Sequence, residues 1–437
     1  MSSIAHLLPL TEFFLLAVAY ALFILSSLIL VLPKKVRYDS GTDYKPVTLL
    51  IPVYNEGKVA ARSIESVSEL NYPKELIEVL VLDDSDDPES AKCVEEAVAQ
   101  LVARGYRASV ERRKNRVGGK AGFLREIHTK LRTPYAFLLD SDFRLNPDAL
   151  SSAVWACEST GASYCQLAWS LEGSGPVAKL QQSMLEYHLK EEQERAVSRG
   201  LPVKINGSCV LINNRDLSDV GGWSAGTVTE DLDLTVRFAL SGKKGTYLPL
   251  VGGTGLATPS FSLLFKQIKR WVIGNAQCML RYGGNVLKAG KKIDSIISFS
   301  YLFNYFFSIS YMLILAAVLI NLATKGNSWF YFFSLLPAVL LLAVSISKKY
   351  FYSYLTSFAY STFIAVFFVE GLFRKRYGFV RTKKVREQSD ALGKTLVTIF
   401  ALGFLAAFAL ALVLSKFCDA ALLLAYAISF LFVAAFW

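Results

Sequence analysis

Val47-Thr-Leu-Leu-Ile-Pro-Val-Tyr54 is a near-continuous apolar run of β-branched character, the pattern of a strand buried on both faces. Helical spacing follows over 58–70, and the next apolar run, Ile77 to Leu82, ends in Asp83-Asp84-Ser85. The alternation repeats through 89–104, 108–113, 119–131 and 135–139. Strand and helix in turn at this spacing predict a parallel sheet with helices on both faces. Ligands of such sheets bind in the crevice beyond the carboxyl ends of the strands. Asp83-Asp84 and Asp140-Ser141-Asp142 both fall at such ends.

Outside this region the composition changes. Of the 437 residues 53% are apolar, above the roughly 45–50% of soluble domains. The excess sits in 9–32 and in most of 297–437. Pro9 to Leu32 is long enough for a bilayer core, which takes about 20 residues. It lacks the marks of a cleaved signal peptide, so it reads as an anchor. Lys34, Lys35 and Arg37 follow it, which predicts the N-terminus outside and the next domain in the cytosol. Four more spans are expected near 297–323, 329–347, 395–415 and 419–437. The apolar run 350–373 has Lys348-Lys349 before it and Arg374-Lys375-Arg376 after it. That pairing favours an interfacial helix over a sixth span.

The net charge of +11 is explained by basic residues flanking the spans, so nucleic-acid binding is not expected. No Cys-x-x-Cys pair occurs among the six cysteines, and His6, His128 and His188 are scattered; neither a disulfide framework nor a zinc site is indicated. Gly252-Gly253-Thr254-Gly255 lacks dinucleotide-fingerprint spacing, and Gly118-Gly119-Lys120 is no P-loop.

Each acidic station has a chemistry and a plainer alternative. Asp140 and Asp142 can hold a hard divalent cation that bridges a diphosphate; equally, they can be turn carboxylates before a helix starting near Asn146. Thr229-Glu230-Asp231 opens a helix expected over Leu232 to Leu240, with Thr229 as its N-cap. A carboxylate there can also take a proton from an attacking hydroxyl. Gln267-Ile-Lys-Arg-Trp271 lies in a stretch, Phe261 to Leu280, with apolar and basic faces, the pattern of an interfacial amphipathic helix.

In this order the three stations and the Gln-x-x-Arg-Trp cluster resemble the active site of a membrane-embedded family-2 glycosyltransferase of the cellulose-synthase and mannan-synthase branch. The strings Leu82-Asp-Asp-Ser-Asp-Asp-Pro88, Asn115-Arg116 with Lys120-Ala-Gly122, and Gly221-Gly-Trp223 carry the same likeness. The resemblance implies a GT-A (Rossmann-like) α/β cytosolic domain plus an α-helical transmembrane domain. It implies Asp231 as general base beside Glu230, and Mg²⁺ or Mn²⁺ on Asp142 with Asp140. Tyr54, Glu56, Asp83, Asp84, Lys120, Asp140, Gln267 and Arg270 would contact the nucleotide-sugar, and Trp271 the acceptor. Phe379-Val-Arg-Thr-Lys-Lys384 resembles the family's gating loop, which brings Thr382 and Lys384 to the nucleotide; Arg381 stands where that loop has valine.

The expected organisation is an anchor at 1–32, a GT-A domain at 46–260, amphipathic helices at 261–295 and a four-span region at 296–437. Within the last, 350–373 is the interfacial helix and 374–390 the gating-like loop. The expected activity is inverting transfer from a UDP-glucose or GDP-mannose type donor to a β-linked polysaccharide, with export through the spans. A single-transfer enzyme acting on a ceramide-type lipid is the alternative, and a transporter or channel a distant third. Expected partners are the donor, a glycan or lipid acceptor and the bilayer. Protein partners are not legible.

Overall fold

The computed structural model describes residues 2–32, 41–323, 351–374 and 391–437. Its centre is an eight-stranded sheet in the order β3-β2-β1-β4-β7-β6-β8-β5. The strands are β1 (Val47–Val53), β2 (Ile77–Asp83), β3 (Arg107–Glu111), β4 (Tyr135–Leu138), β5 (Arg144–Leu145), β6 (Tyr164–Glu172), β7 (Val210–Asn213) and β8 (Gly245–Leu256).

The apolar runs behave as their composition demands. Val47, Leu49, Ile51 and Val53 of β1 enter one core with Ile64, Val94, Val98 and Val154 from the helices Gly57–Ser66, Pro88–Ala103 and Ala149–Thr160. Leu50 enters a second core on the opposite face with Phe123, Leu124, Trp223 and Phe238. Each such side chain contributes about 1.5–3 kcal/mol when fully buried, which fixes the register Val47↔Ile77 on one side of β1 and Val47↔Tyr135 on the other.

β1 to β4 are parallel, as expected. The remainder is not. β7 runs antiparallel to both β4 and β6, β5 runs antiparallel to β8, and only β6 and β8 are parallel. The strand–helix alternation stops being regular after β4, so the rule that predicts a parallel sheet no longer applies. The chain moves outward from β1 to β2 and β3, then returns to place β4 on the other side of β1. That reversal leaves a crevice at the carboxyl ends of β1 and β4, where ligands of open α/β sheets bind.

Among the described residues four helices are long and apolar enough to cross a membrane: Leu10–Leu30, Asn304–Ala323, Ala391–Val413 and Phe417–Ala435. The expected span at 329–347 lies outside the described residues. Phe351–Phe373 is a helix whose described apolar part, Phe358–Phe373, is shorter than these four. It packs along the helix Phe261–Lys288, and its Glu370 meets Lys269 at 2.8 Å. One apolar cluster joins Leu180, Ile268 and Val272 to Ile314, Phe368, Ala401 and Phe430, so the sheet domain and the helical bundle share a packed floor.

Candidate active site

A cavity of about 930 Å³ opens where the crevice meets that floor. Asp84, Asp140, Asp142, Glu230, Asp231, Gln267, Arg270 and Trp271 all line it, so stations up to 187 residues apart in the chain (271 minus 84) face one space. Asp83 does not line it. Asp83 is 1% exposed, gripped by Arg112 Nε and Nη2 at 3.0 and 2.9 Å, and its other oxygen accepts the Ser85 amide.

At the end of β1, Tyr54 and Glu56 line the cavity. The Arg116 guanidinium lies 3.1 Å from the Tyr54 ring centroid, and Tyr54 Oη donates to Asp86. Asn55 between them takes φ 52°, a left-handed conformation that asparagine tolerates. Arg113 forks onto both oxygens of Asp84 at 2.8 and 2.7 Å. Glu56 accepts the Ser141 hydroxyl at 2.6 Å, tying the ends of β1 and β4 together.

Lys120 sits at the start of the helix Gly119–His128. Its ammonium donates to Asp140 Oδ1 at 2.6 Å and Gly207 O at 2.8 Å, and lies 3.7 Å from Glu230. Burial works to lower its pKa, yet Asp140 and Glu230 outweigh burial and the net shift is upward, which keeps the lysine charged. Asp142 Oδ2 accepts the Leu256 amide at 3.3 Å.

Glu230 and Asp231 open the helix Glu230–Leu240. Burial and the neighbouring Glu230 push the Asp231 carboxyl from 3.8 up to about 6, while the Leu232 amide, Arg270 and Lys120 pull it back. Thr229 occupies the N-cap position, but its hydroxyl makes no capping bond. Its side chain instead fills the space where a Cβ on Gly274 would stand, 2.4 Å away. Phe261–Lys288 can thus approach Asp231 closely, and Arg270 Nη1 donates to Val228 O at 3.2 Å. Gln267 accepts from Gln181, whose own oxygen takes the Thr258 amide.

A polar group that the sequence reading passed over completes the wall. The helix Gly175–Tyr187 runs into a π-helical segment, His188–Gln193, a widened turn that is frequent at functional sites. His188 bonds Glu192 through Nδ1 at 2.7 Å and Asn206 through Nε2 at 3.0 Å. Lys204 lies 4.2 Å over the Tyr301 ring. Burial lowers the Lys204 pKa despite Glu192 and Asp231 nearby. No periodicity marks a π-helical turn, and Asn206-Gly207-Ser208 reads from sequence only as a glycosylation sequon. Thr382 and Lys384 lie outside the described residues.

Residues 135–437 match the family model Glycosyl transferase family group 2, and residues 48–221 match Glycosyl transferase family 2. The chain belongs to this family. Glucomannan 4-beta-mannosyltransferase 7 of Arabidopsis thaliana is 29% identical over 324 residues, covering 70% of this chain and 58% of the relative. Probable glucomannan 4-beta-mannosyltransferase 9 of Oryza sativa subsp. japonica is 32% identical over 244 residues, 54% of this chain and 46% of the relative. This family-2 chain thus spans about half the length of the curated relatives it matches. Among solved structures, a mannosyltransferase from Pyrobaculum calidifontis, in complex with GDP-Man and Mn²⁺, aligns with TM-score 0.56 at 16% identity. That alignment covers 85% of this chain and 98% of the other, a likeness of fold. The fold is of the GT-A type with apolar helices attached.

Proposed function

We propose that the chain is an inverting, nucleotide-sugar-dependent glycosyltransferase that extends a β-linked polysaccharide of the mannan or glucan kind. The observation that carries this reading is the shared cavity, which holds the acidic stations and Arg270 and continues past Trp271 to Tyr305, Tyr311 and Tyr360. Aromatic side chains set among hydroxyls suit the faces and edges of sugar rings. The continuation among the bundle helices favours a polymer, moving away as it grows, over a single lipid acceptor.

In this reading Asp231 takes the proton of an acceptor hydroxyl. The hydroxyl oxygen forms its bond to the anomeric carbon as the bond to the diphosphate oxygen breaks, and the nucleoside diphosphate leaves with the electron pair, so the anomeric configuration inverts. Arg270 pairs with the departing diphosphate because its planar fork matches phosphate oxygens. Trp271 offers a platform to the acceptor. Tyr54, Glu56 and Asp84 frame the nucleotide, with Lys120 near a phosphate and Glu230 beside the base. Thr382 and Lys384 would join from the gating-like loop.

A divalent cation fits a limited set of donors. In this reading Asp142 is the principal protein ligand, with Asp140, whose Oδ1 is held by Lys120, beside it. No cluster of three His, Cys, Asp or Glu side chains suited to a metal occurs among the described residues. Mg²⁺ and Mn²⁺ sites of one or two carboxylates completed by substrate phosphates need no such cluster. When bound, the ion would supply positive charge to the diphosphate.

The protein is then a multi-pass membrane protein with its N-terminus outside and its sheet domain in the cytosol. Phe351–Phe373 lies at the cytosolic interface, supported by its Glu370 pairing with Lys269. The test is purified protein incubated with labelled GDP-mannose or UDP-glucose, followed by sizing of the product. A long alkali-stable glycan supports polymer synthesis; a single sugar on lipid moves the reading to the lipid transferases; no transfer from either donor overturns it.

A further inference from the structure

Asn206 stands between the proposed base and the π-helical segment. Its neighbour Gly207, at φ 76°, brings the backbone so near Asp231 that an added Cβ would lie 3.2 Å from Oδ2. On its other side His188 Nε2 bonds the Asn206 carboxamide oxygen at 3.0 Å, and Glu192 holds His188 Nδ1 at 2.7 Å. The Asn206 amide donates to Gln166 from the backbone at 2.9 Å. The carboxamide is therefore held at one end by a relay of two side chains from the π-helical segment.

The other end is unsatisfied. Asn206 Nδ2 is buried and has no hydrogen-bond partner among the described residues, although Asn206 lines the cavity. Leaving a buried amide group without a partner forfeits its hydration with nothing in return. Such a group in a functional cavity calls for a ligand atom.

We infer that Asn206, aimed by the His188–Glu192 pair, hydrogen-bonds a hydroxyl of the acceptor sugar and so places the attacking hydroxyl against Asp231. This rests on the glycosyltransferase reading above. The acceptor side is indicated by placement: Asp84, Tyr54 and Glu56 gather at the ends of β1 and β2. Asn206 meets the helical side through His188 and Glu192. A sugar hydroxyl both donates and accepts, so it satisfies the carboxamide in either amide orientation. His188 is a positioning residue here, acting through Asn206.

The experiment uses full-length protein in detergent with GDP-mannose or UDP-glucose as donor and short β-1,4-linked manno-oligosaccharides as acceptor. Asn206→Leu keeps the side-chain size and removes both polar ends. It should raise the acceptor KM about tenfold and leave donor binding, read by calorimetric titration, unchanged. His188→Ala should shift the acceptor KM in the same direction, and His188→Gln, which still offers Asn206 a donor, should restore it. An unchanged acceptor KM in Asn206→Leu, equal losses for donor and acceptor, or no difference between His188→Ala and His188→Gln overturns the inference alone. Absence of transfer by the native protein overturns the glycosyltransferase reading and this inference together.

Discussion

The Lys120 ammonium lies 2.6 Å from Asp140 Oδ1 in the cavity wall, and the same charge helps hold down the pKa of Asp231. One lysine thus couples the second acidic station to the third. With the Asp231 pKa at about 6, a base in this position works only when deprotonated, so kcat/KM falls as pH drops through about 6. Lys120→Met removes a charge that lowers this pKa, which moves the acid limb to higher pH. A pH–rate profile of each protein checks this; an acid limb that stays in place takes Lys120 out of the coupling. Asp231→Asn should lower turnover by about 10²–10⁴-fold with donor binding kept.

Asp142 and Asp140 are separated by one residue and differ in what they have to offer. Lys120 holds Asp140 Oδ1, and Asp142 faces the same cavity with Oδ2 on the Leu256 amide. Asp142→Asn should therefore lower turnover by at least about 10²-fold, as loss of metal-based charge stabilisation would. Excess chelator should do the same to the native protein, and Mn²⁺ or Mg²⁺ should restore it. Full turnover in chelator would remove the ion from the reaction.

Asp83 and Asp84 are adjacent in sequence and should separate by phenotype. Asp83 is fully enclosed and depends on Arg112, which is 39% exposed along its side chain. Arg112→Ala leaves a buried carboxylate that keeps the Ser85 amide. The expected loss is about 1–3 kcal/mol of stability, below the full value for a completely buried pair because Arg112 is part-solvated. The donor KM should stay within about twofold, since neither residue lines the cavity. Denaturant melts alongside donor kinetics check both halves.

The parallel half of the sheet was legible because β1, β2 and β4 are enclosed on both faces and their composition reports it. The antiparallel half was not: β7 pairs with β4 across residues 139–209, and register over such a distance depends on packing that no local pattern records. The stations were legible as strand ends and a helix start, which is where the structure places Asp84, Asp140 and Glu230. Asp83 was misleading, because adjacent residues at a strand end point to opposite sides and only one meets the cavity. The His188–Glu192–Asn206 group was invisible for a different reason. Its members come from a π-helical turn and a loop 18 residues apart (206 minus 188), and none has an unusual neighbour in sequence.

Gly274 sets how near the Gln-Ile-Lys-Arg-Trp cluster comes to Asp231. A Cβ at this position would meet Thr229 Oγ1 and Cγ2 at 2.4 Å and Thr229 Cβ at 2.8 Å, so more than a rotamer must yield. Thr229 and Asp231 share the start of one helix, while Gly274 lies one turn beyond Arg270 on the other. Gly274→Ala should push the two helix segments apart, destabilising the protein by about 1–3 kcal/mol. A shift near 1 Å can lower turnover by up to ~10²-fold even though no reacting group has changed. Thr229→Gly removes the obstacle and keeps an acceptable N-cap residue, so Gly274→Ala combined with Thr229→Gly should recover part of the lost turnover. The double-mutant cycle reads this as a coupling energy between the two sites. Additive losses, with no recovery, would mean that the close approach at Gly274 is not what positions Arg270 and Trp271 against the base.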